Sequence, residues 1–271
     1  MKRIDSFPTN KIKDVEYRAG HVFPFGASLI DDAVNFSVYS KEAVSCTLLL
    51  YHRGEKEPYL EIPFHEEFRI GNVFTMMVFD LNIEELEYGY KIDGPNDKAK
   101  GLYFDKSVPL LDPYAKSVSG REVWGRESDP DDIFPHRGRV IMEDYDWEGD
   151  RPYGIAPKNL IIYEMHVRGF TRHESSGVKH KGTFAGLCEK IPYLNELGIN
   201  CVELLPVFEF DELENPRVFE GKRLYNYWGY STVNFFFTKG KVCGIRTTGH
   251  GGRRTEKYGK APSQKRNRSD T

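Results

Sequence analysis

The sequence predicts an all-β sandwich, immunoglobulin-like in its short strands, followed by the opening of an α/β domain. Three observations predict it. Residues 20–118 carry short runs in which apolar residues alternate with polar ones between turn residues. From residue 160 the pattern changes to nearly continuous apolar runs, Leu160–Val167 and Asn200–Pro206, with a helical pattern between them. From residue 238 apolar periodicity is lost altogether.

Within the sandwich the first clear strand is Ala33–Tyr39, where Val34, Phe36 and Val38 alternate with polar positions on a half-buried face. Cys46–Tyr51 follows closely as a second strand. After the loop His52–Pro58 come Val73–Phe79 and Gly89–Asp93, the latter ended by Gly94-Pro95, since proline has no N–H to continue a ladder. Alternation assigns Phe36, Phe74 and Phe79 to the core. Together these strands make a sandwich of about 100 residues, placed at 15–118. Residues 119–158, rich in Gly, Pro and Asp, read as a connection wrapped on a surface, with Trp124 and Trp147 as interface anchors rather than sugar platforms.

Leu160–Val167 has the composition of a parallel strand covered on both faces. His166 within it is therefore expected to be a hydrogen-bonded core histidine. A helix follows, with Thr183 as its N-cap, Phe184, Leu187, Ile191 and Leu194 at spacings of three and four, and Gly198 where a C-terminal cap belongs. Pro192 is predicted to divide it in two. Asn200–Pro206 then supplies the next buried strand and completes a β-α-β crossover.

Composition excludes several classes. With 271 residues, 38 Lys plus Arg against 41 Asp plus Glu and 39% hydrophobic residues, the chain is neither collagen-like, coiled-coil nor wholly disordered. No apolar run approaches the roughly 18–20 residues that span a bilayer, and Met1–Pro8 lacks the apolar core of a secretion signal, so a soluble, cytoplasmic protein without membrane partners is expected. Cys46, Cys188, Cys201 and Cys243 are scattered without metal-ligand spacing and read as buried thiols; no metal and no cofactor is expected. Charge is unevenly spread. Residues 238–271 hold ten Lys or Arg against Glu256 and Asp270, a net +8, which leaves −11 on residues 1–237 of a chain at −3.

Tyr163-Glu-Met-His-Val-Arg-Gly-Phe-Thr171, Gly198-Ile-Asn-Cys-Val-Glu-Leu-Leu-Pro206 and Asn226-Tyr-Trp-Gly-Tyr-Ser-Thr232 resemble, in that order, the first barrel strand, the second, and the segment after it in one known family. That family is glycoside hydrolase family 13, the α-amylase superfamily, in its isoamylase and glycogen-debranching (pullulanase-like) branch. His166-Val-Arg-Gly-Phe-Thr171 favours debranching relatives over branching ones, which follow this histidine with a Gly-Ser-Trp-like sequence. Pro24-Phe-Gly-Ala27, Val34–Ser40, Tyr88–Pro95 and Leu110–Ala115 resemble the family 48 carbohydrate-binding module that precedes such barrels. The resemblance covers residues 20 to about 236. It implies that 159–236 is the start of a TIM (β/α)8 barrel, its first two βα units, with 119–158 as the connection.

The resemblance also implies the chemistry. Such enzymes hydrolyse α-1,6 branch links of glycogen and related α-glucans by a retaining mechanism, which needs two carboxyl groups about 5–5.5 Å apart. The family carries the nucleophilic Asp, the acid Glu and a third Asp at the ends of barrel strands four, five and seven, and none of Asp146, Glu148, Asp150, Asp211, Glu212 and Glu214 occupies such a position. They read as a solvated acidic face. No catalytic residue is assigned, and the chain is expected to be inactive. For substrate binding the resemblance points to Tyr230, which the family places beneath the sugar at the cleavage subsite, and to Trp228 in the same segment; aromatic faces pack against axial C–H groups while hydroxyls stay free to bond. The alternative is a non-catalytic α-glucan-binding module.

After Asn234-Phe-Phe236 the resemblance stops. Back-translating residues 236–243 with free degenerate bases and reading one nucleotide later permits the Ser-Pro-Lys and Tyr-Ala of relatives. The same shift over 249–271 permits an amphipathic helix, a glycine stop and a β-branched strand start. Residues 237–271 are therefore expected to be a non-native basic tail, read out of frame, in a truncated chain. The rival reading is a basic arm for nucleic acid. With one aromatic, Tyr258, among the cations and no nucleic-acid fold before them, no nucleic-acid partner is expected. Composition and spacing leave the oligomeric state unknown.

Overall fold

A computed structural model describes residues 7–120, 125, 136–142, 149–151, 154–214 and 217–238. Two antiparallel sheets face each other in the N-terminal part. The first contains β1 (Asn10–Ile12), β2 (Val15–Ala19), β3 (Gly26–Ile30) and β4 (Ala33–Tyr39). The second is centred on β5 (Ser45–His52) and β6 (Leu60–Pro63). The chain then returns to the first sheet with β7 (Arg69–Ile70) and β8 (Val73–Phe79), and to the second with β9 (Leu86–Asp93). A small hairpin, β10 (Asn96–Asp97) with β11 (Leu102–Tyr103), stands apart, while β12 (Val118–Ser119) and β13 (Arg137–Gly138) extend the second sheet. The orders are β1-β2-β8-β4-β3, with β7 also on β8, and β12-β13-β9-β5-β6.

The core lies between the sheets, as the alternation predicts. Val34, Phe36 and Val38 of β4 and Phe74, Met76 and Val78 of β8 meet Leu48 and Leu50 of β5 and Tyr88 and Tyr90 of β9. Phe79, at the end of β8, is half-buried. The polar face of β4 is buried as well. Asn35 and Ser37 are fully buried, because residues 20–22 cross that face and satisfy them. The Asn35 amide donates to the His21 carbonyl at 3.0 Å and accepts from its N–H at 2.7 Å, and the Ser37 hydroxyl donates to the Val22 carbonyl at 2.7 Å. Only glycine fits at position 20, since a Cβ there comes within 2.8 Å of the Met76 backbone.

The stretch read as a connection contributes structure as well. β13 pairs with both β12 and β9, and Arg137 lies buried over the Tyr51 ring, its guanidinium 4.4 Å from the ring centre. Arg137 also faces the buried Glu87 carboxylate at 3.7 Å, a pair whose charges compensate each other out of water. The sheets therefore reach beyond residues 15–118, to Asn10 on one side and Gly138 on the other. Trp124, Trp147, Asp146 and Glu148 lie outside the described residues, as do Cys243 and residues 239–271 of the tail. Cys46 is buried, whereas Cys188 and Cys201 are half-buried.

Beyond the sandwich, β14 (Ile162–Met165) is followed by α1 (Val167–Arg172), α2 (Phe184–Glu189), α3 (Ile191–Glu196) and β15 (Cys201–Leu204). The two strands pair in parallel, Ile162 opposite Cys201 and Met165 opposite Leu204. The helix signals are observed as read. The Thr183 hydroxyl caps α2 by accepting from the Gly186 N–H, and α3 starts immediately before Pro192. Gly198, at φ +80°, ends it in a left-handed cap whose Ile199 and Gly198 N–H groups reach back to the Leu194 and Asn195 carbonyls, both at 2.9 Å. The strands differ from expectation. Of β14 only Met165 is buried, and Val202 and Leu204 of β15 are open to solvent. Each strand has only the other as a partner among the described residues, so the apolar runs predict a burial that a two-stranded sheet does not supply.

The remaining elements frame the site. β16 (Phe208–Phe210) pairs with β19 (Thr232–Thr238) across register shifts. Between them lies the hairpin of β17 (Arg217–Phe219) and β18 (Lys222–Leu224), turning at Glu220 and Gly221 with φ of +49° and +73°. An aromatic chain ties this region to the sandwich: Phe25 lies 4.9 Å from Tyr114, which lies 5.6 Å from Phe236, centre to centre. No helix among the described residues is long and apolar enough to cross a membrane.

Candidate functional site

Of the residues singled out by sequence, His166 and Trp228 meet where β14 gives way to α1, while Tyr230 joins the same turn through its carbonyl. His166 is not a strand residue. It is the N-cap of α1, in extended backbone, and its Nδ1 accepts from the Gly169 N–H at 2.9 Å. Its Nε2 lies 3.1 Å from the Tyr227 carbonyl. A ring that accepts at Nδ1 and donates at Nε2 is neutral, with its proton on Nε2. Partial burial pushes its pKa below the ordinary histidine value, and Arg168 adds to the effect, while the bond to Tyr227 opposes it. With both nitrogens engaged, His166 organises the site rather than carrying protons.

Tyr227 and Trp228 come from the segment Asn226–Tyr230 that joins β18 to β19. The Tyr227 ring stacks on His166 with centres 4.7 Å apart and planes 18° apart, and Trp228 stands edge-on to both, at 5.9 Å from Tyr227 and 6.0 Å from His166. Gly169 lets the stack form, since a Cβ there falls 2.8 Å from the Tyr227 hydroxyl. Tyr163 and Phe170 meet edge-to-face on the adjoining β14 and α1, 5.8 Å between centres. Trp228 and Tyr230 are 55% and 58% exposed, so both are surface aromatics rather than core residues.

The shape of the segment is set by Asn226. Its side-chain amide donates to the Tyr230 carbonyl at 2.9 Å, and its side-chain oxygen accepts from the Gly229 N–H at 3.3 Å. Gly229 has φ +81° and packs close to Phe210 and the Pro206 carbonyl. Sequence reading missed Tyr227, which holds the histidine, although Gly169 three residues after His166 and Gly229 three after Asn226 are spacings at which a side chain closes a turn.

The acidic residues do not form one solvated face. Asp150 is exposed, but Glu212 is fully buried and accepts from the Gly125 N–H at 2.7 Å. Asp211 caps its own turn, accepting from the Leu213 N–H at 2.8 Å. No group of three or more His, Cys, Asp or Glu is arranged to hold a metal ion among the described residues. The arrangement offers a shallow display of aromatic faces and edges on a hydrogen-bonded turn, which suits stacking against a sugar ring.

The sandwich leads into a parallel pair and an aromatic turn, a β-sandwich module ahead of an α/β segment. Residues 24–115 match the family Carbohydrate-binding module 48 (Isoamylase N-terminal domain). The chain is 41% identical over 225 residues to isoamylase 1, chloroplastic, of Arabidopsis thaliana, covering 79% of this chain and 28% of the relative. It is 34% identical over 228 residues to a glycogen debranching enzyme of Yersinia pseudotuberculosis, covering 79% and 33%. Pullulanase from Paenibacillus barengoltzii shares the fold, with a TM-score of 0.62 at 20% identity over 86% of this chain and 34% of that one. A pullulanase from Anoxybacillus sp. LM18-11, solved with maltotetraose, gives 0.63 at 24%, over 86% and 32%. Residues 24–115 carry the family 48 module, and the relatives are isoamylases and glycogen debranching enzymes, a likeness that fits the isoamylase and glycogen-debranching branch of glycoside hydrolase family 13. The chain spans about a third of the length of these curated relatives or less.

Proposed function

We propose that this chain serves α-glucan debranching, with the exposed aromatic face of Tyr227, Trp228 and Tyr230 as its sugar-contacting surface. The observation that carries the reading is the exposure of Tyr227, Trp228 and Tyr230 on the turn that Asn226 closes, where burial would be expected of rings that served packing alone. The names of the relatives, isoamylase and glycogen debranching enzyme, support α-1,6-linked glucans as the substrate class. In this reading residues 159–236 are the first two βα units of a (β/α)8 barrel, and the sandwich braces them through Phe25, Tyr114 and Phe236.

Titration with maltoheptaose, followed by tryptophan emission, tests the site. A dissociation constant of about a millimolar is expected, near −4 kcal/mol, because an open surface buries little of the sugar. Trp228→Ala and Tyr230→Ala should each remove the response. Wild-type titration curves from both variants would reject the surface. Micromolar affinity would favour a stand-alone glucan-binding module instead.

Hydrolysis by this chain is a separate matter. The family resemblance puts the nucleophilic Asp, the acid Glu and a third Asp on barrel strands four, five and seven, and the two parallel strands described correspond to strands one and two in this reading, so purified protein incubated with glycogen or pullulan is expected to release no reducing ends above a buffer blank. Turnover would show that a carboxylate pair is assembled elsewhere in the chain.

A further inference from the structure

The geometry points to Glu212 as a positioning residue that sets the aromatic turn from behind, an inference that rests on the sugar-surface reading only for its consequence. The carboxylate is completely buried, a costly place for an acid unless its oxygens are bonded. Its Oε1 accepts from the Gly125 N–H at 2.7 Å, so residue 212 is pinned to a residue 87 positions away in sequence. The preceding Asp211 makes a local turn with Leu213 and Glu214, which directs the neighbouring side chain inward.

The Glu212 carbonyl then accepts from the Asn226 N–H at 2.9 Å. Asn226 closes the turn through Tyr230 and Gly229, and the Tyr227 carbonyl inside that turn takes the bond from His166 Nε2. One hydrogen-bonded path therefore runs from Gly125 through Glu212 and Asn226 to the stack of Tyr227 on His166. The Gly125 end is also sterically coupled, since a Cβ there lies 3.0 Å from the Tyr225 hydroxyl, one residue before Asn226. Packing alone would be served by an apolar side chain. A bonded carboxylate instead fixes where the 212 carbonyl points, and so where the turn begins.

The test uses the full chain and three variants, Glu212→Ala, Glu212→Gln and Asn226→Ala. The first readout is the nitrogen NMR signals of the His166 ring, which report whether Nε2 donates and Nδ1 accepts. Glu212→Ala and Asn226→Ala are expected to move both signals toward those of a solvated imidazole while the signals of the sandwich stay in place. Glu212→Gln is expected to restore them, because its amide oxygen accepts the Gly125 N–H. The second readout is maltoheptaose affinity, expected to fall about tenfold in the two alanine variants and to recover in the glutamine one. Unchanged His166 signals in folded Glu212→Ala overturn the inference, as does failure of Glu212→Gln to restore them. If Glu212→Ala does not fold, Glu212→Gln and Asn226→Ala decide it, an unmoved His166 in Asn226→Ala being the overturning result. A wild-type chain that does not respond to maltoheptaose sinks the sugar-surface reading, while the His166 signals still judge Glu212.

Discussion

Phe36→Ala is expected to lower the stability of the sandwich by about 3–5 kcal/mol, the range for removing a large aromatic from a packed core. Phe36 sits in the middle of β4 with no exposed surface, opposite Met76 of β8. Its ring meets Tyr88 of the facing sheet edge-on, 5.1 Å between centres. Truncation loses both the burial and contacts to two sheets, and the cavity lies between strands that are hydrogen-bonded on either side and so relax little. Urea unfolding followed by far-ultraviolet circular dichroism measures the loss. Leu29→Ala on the neighbouring β3, where the side chain is part-exposed, is the comparison and should cost under about 1 kcal/mol. Equal losses from the two variants would mean that Phe36 is not the centre of this core.

Asp112→Asn is expected to change how stability depends on pH, by up to about 3 kcal/mol. Asp112 is buried beneath β9, accepting from the Tyr88 hydroxyl and the Tyr114 N–H, each at 2.8 Å. Tyr90, Cys46 and Lys116 are the other titratable groups that face it. Burial dominates and pushes its pKa up to about 6, although the bonds from Tyr114 and Tyr88 and the charge of Lys116 pull the other way. A carboxyl whose folded pKa lies above its unfolded value of 3.8 contributes stability that is complete below 3.8 and lost as pH rises through about 6. Asparagine imitates the protonated acid in shape. The variant should match the wild type near pH 4 and exceed it progressively toward pH 8. Chemical denaturation at a series of pH values reads this out, and parallel curves, or a wild type that gains on the variant as pH rises, would refute it.

Some of this architecture was legible because its causes are local. Thr183, Pro192 and Gly198 each act within a turn of their own position, so the start, break and end of the α2–α3 pair are readable without knowing what packs on them. The inward set Val34, Phe36 and Val38 was equally readable, since side-chain direction alternates along any strand. The opposite set was not. Whether Asn35 and Ser37 face water depends on residues 20–22 crossing them, and on a backbone that presents carbonyls and N–H groups at the right height. Likewise, nothing near Arg137 announces that it will lie over Tyr51, 86 positions away in sequence.

The site divides along the same line. Trp228 and Tyr230 were found through family resemblance, but their openness to solvent is a property of the folded turn. Glu212 is one of six acids that sequence treats alike, and burial against Gly125 separates it from Asp150. The amino-acid order by itself determined the two-part organisation, the inward face of the sandwich strands and the helix caps, because each follows from residue type and short-range spacing. Tertiary structure alone decided that Asn35, Arg137 and Glu212 are interior, that the two parallel strands leave apolar surface uncovered, and that His166 caps a helix and holds Tyr227. The physical reason is that desolvation and hydrogen-bond geometry are set by what the rest of the chain brings within a few ångströms, and that is not encoded at the position itself.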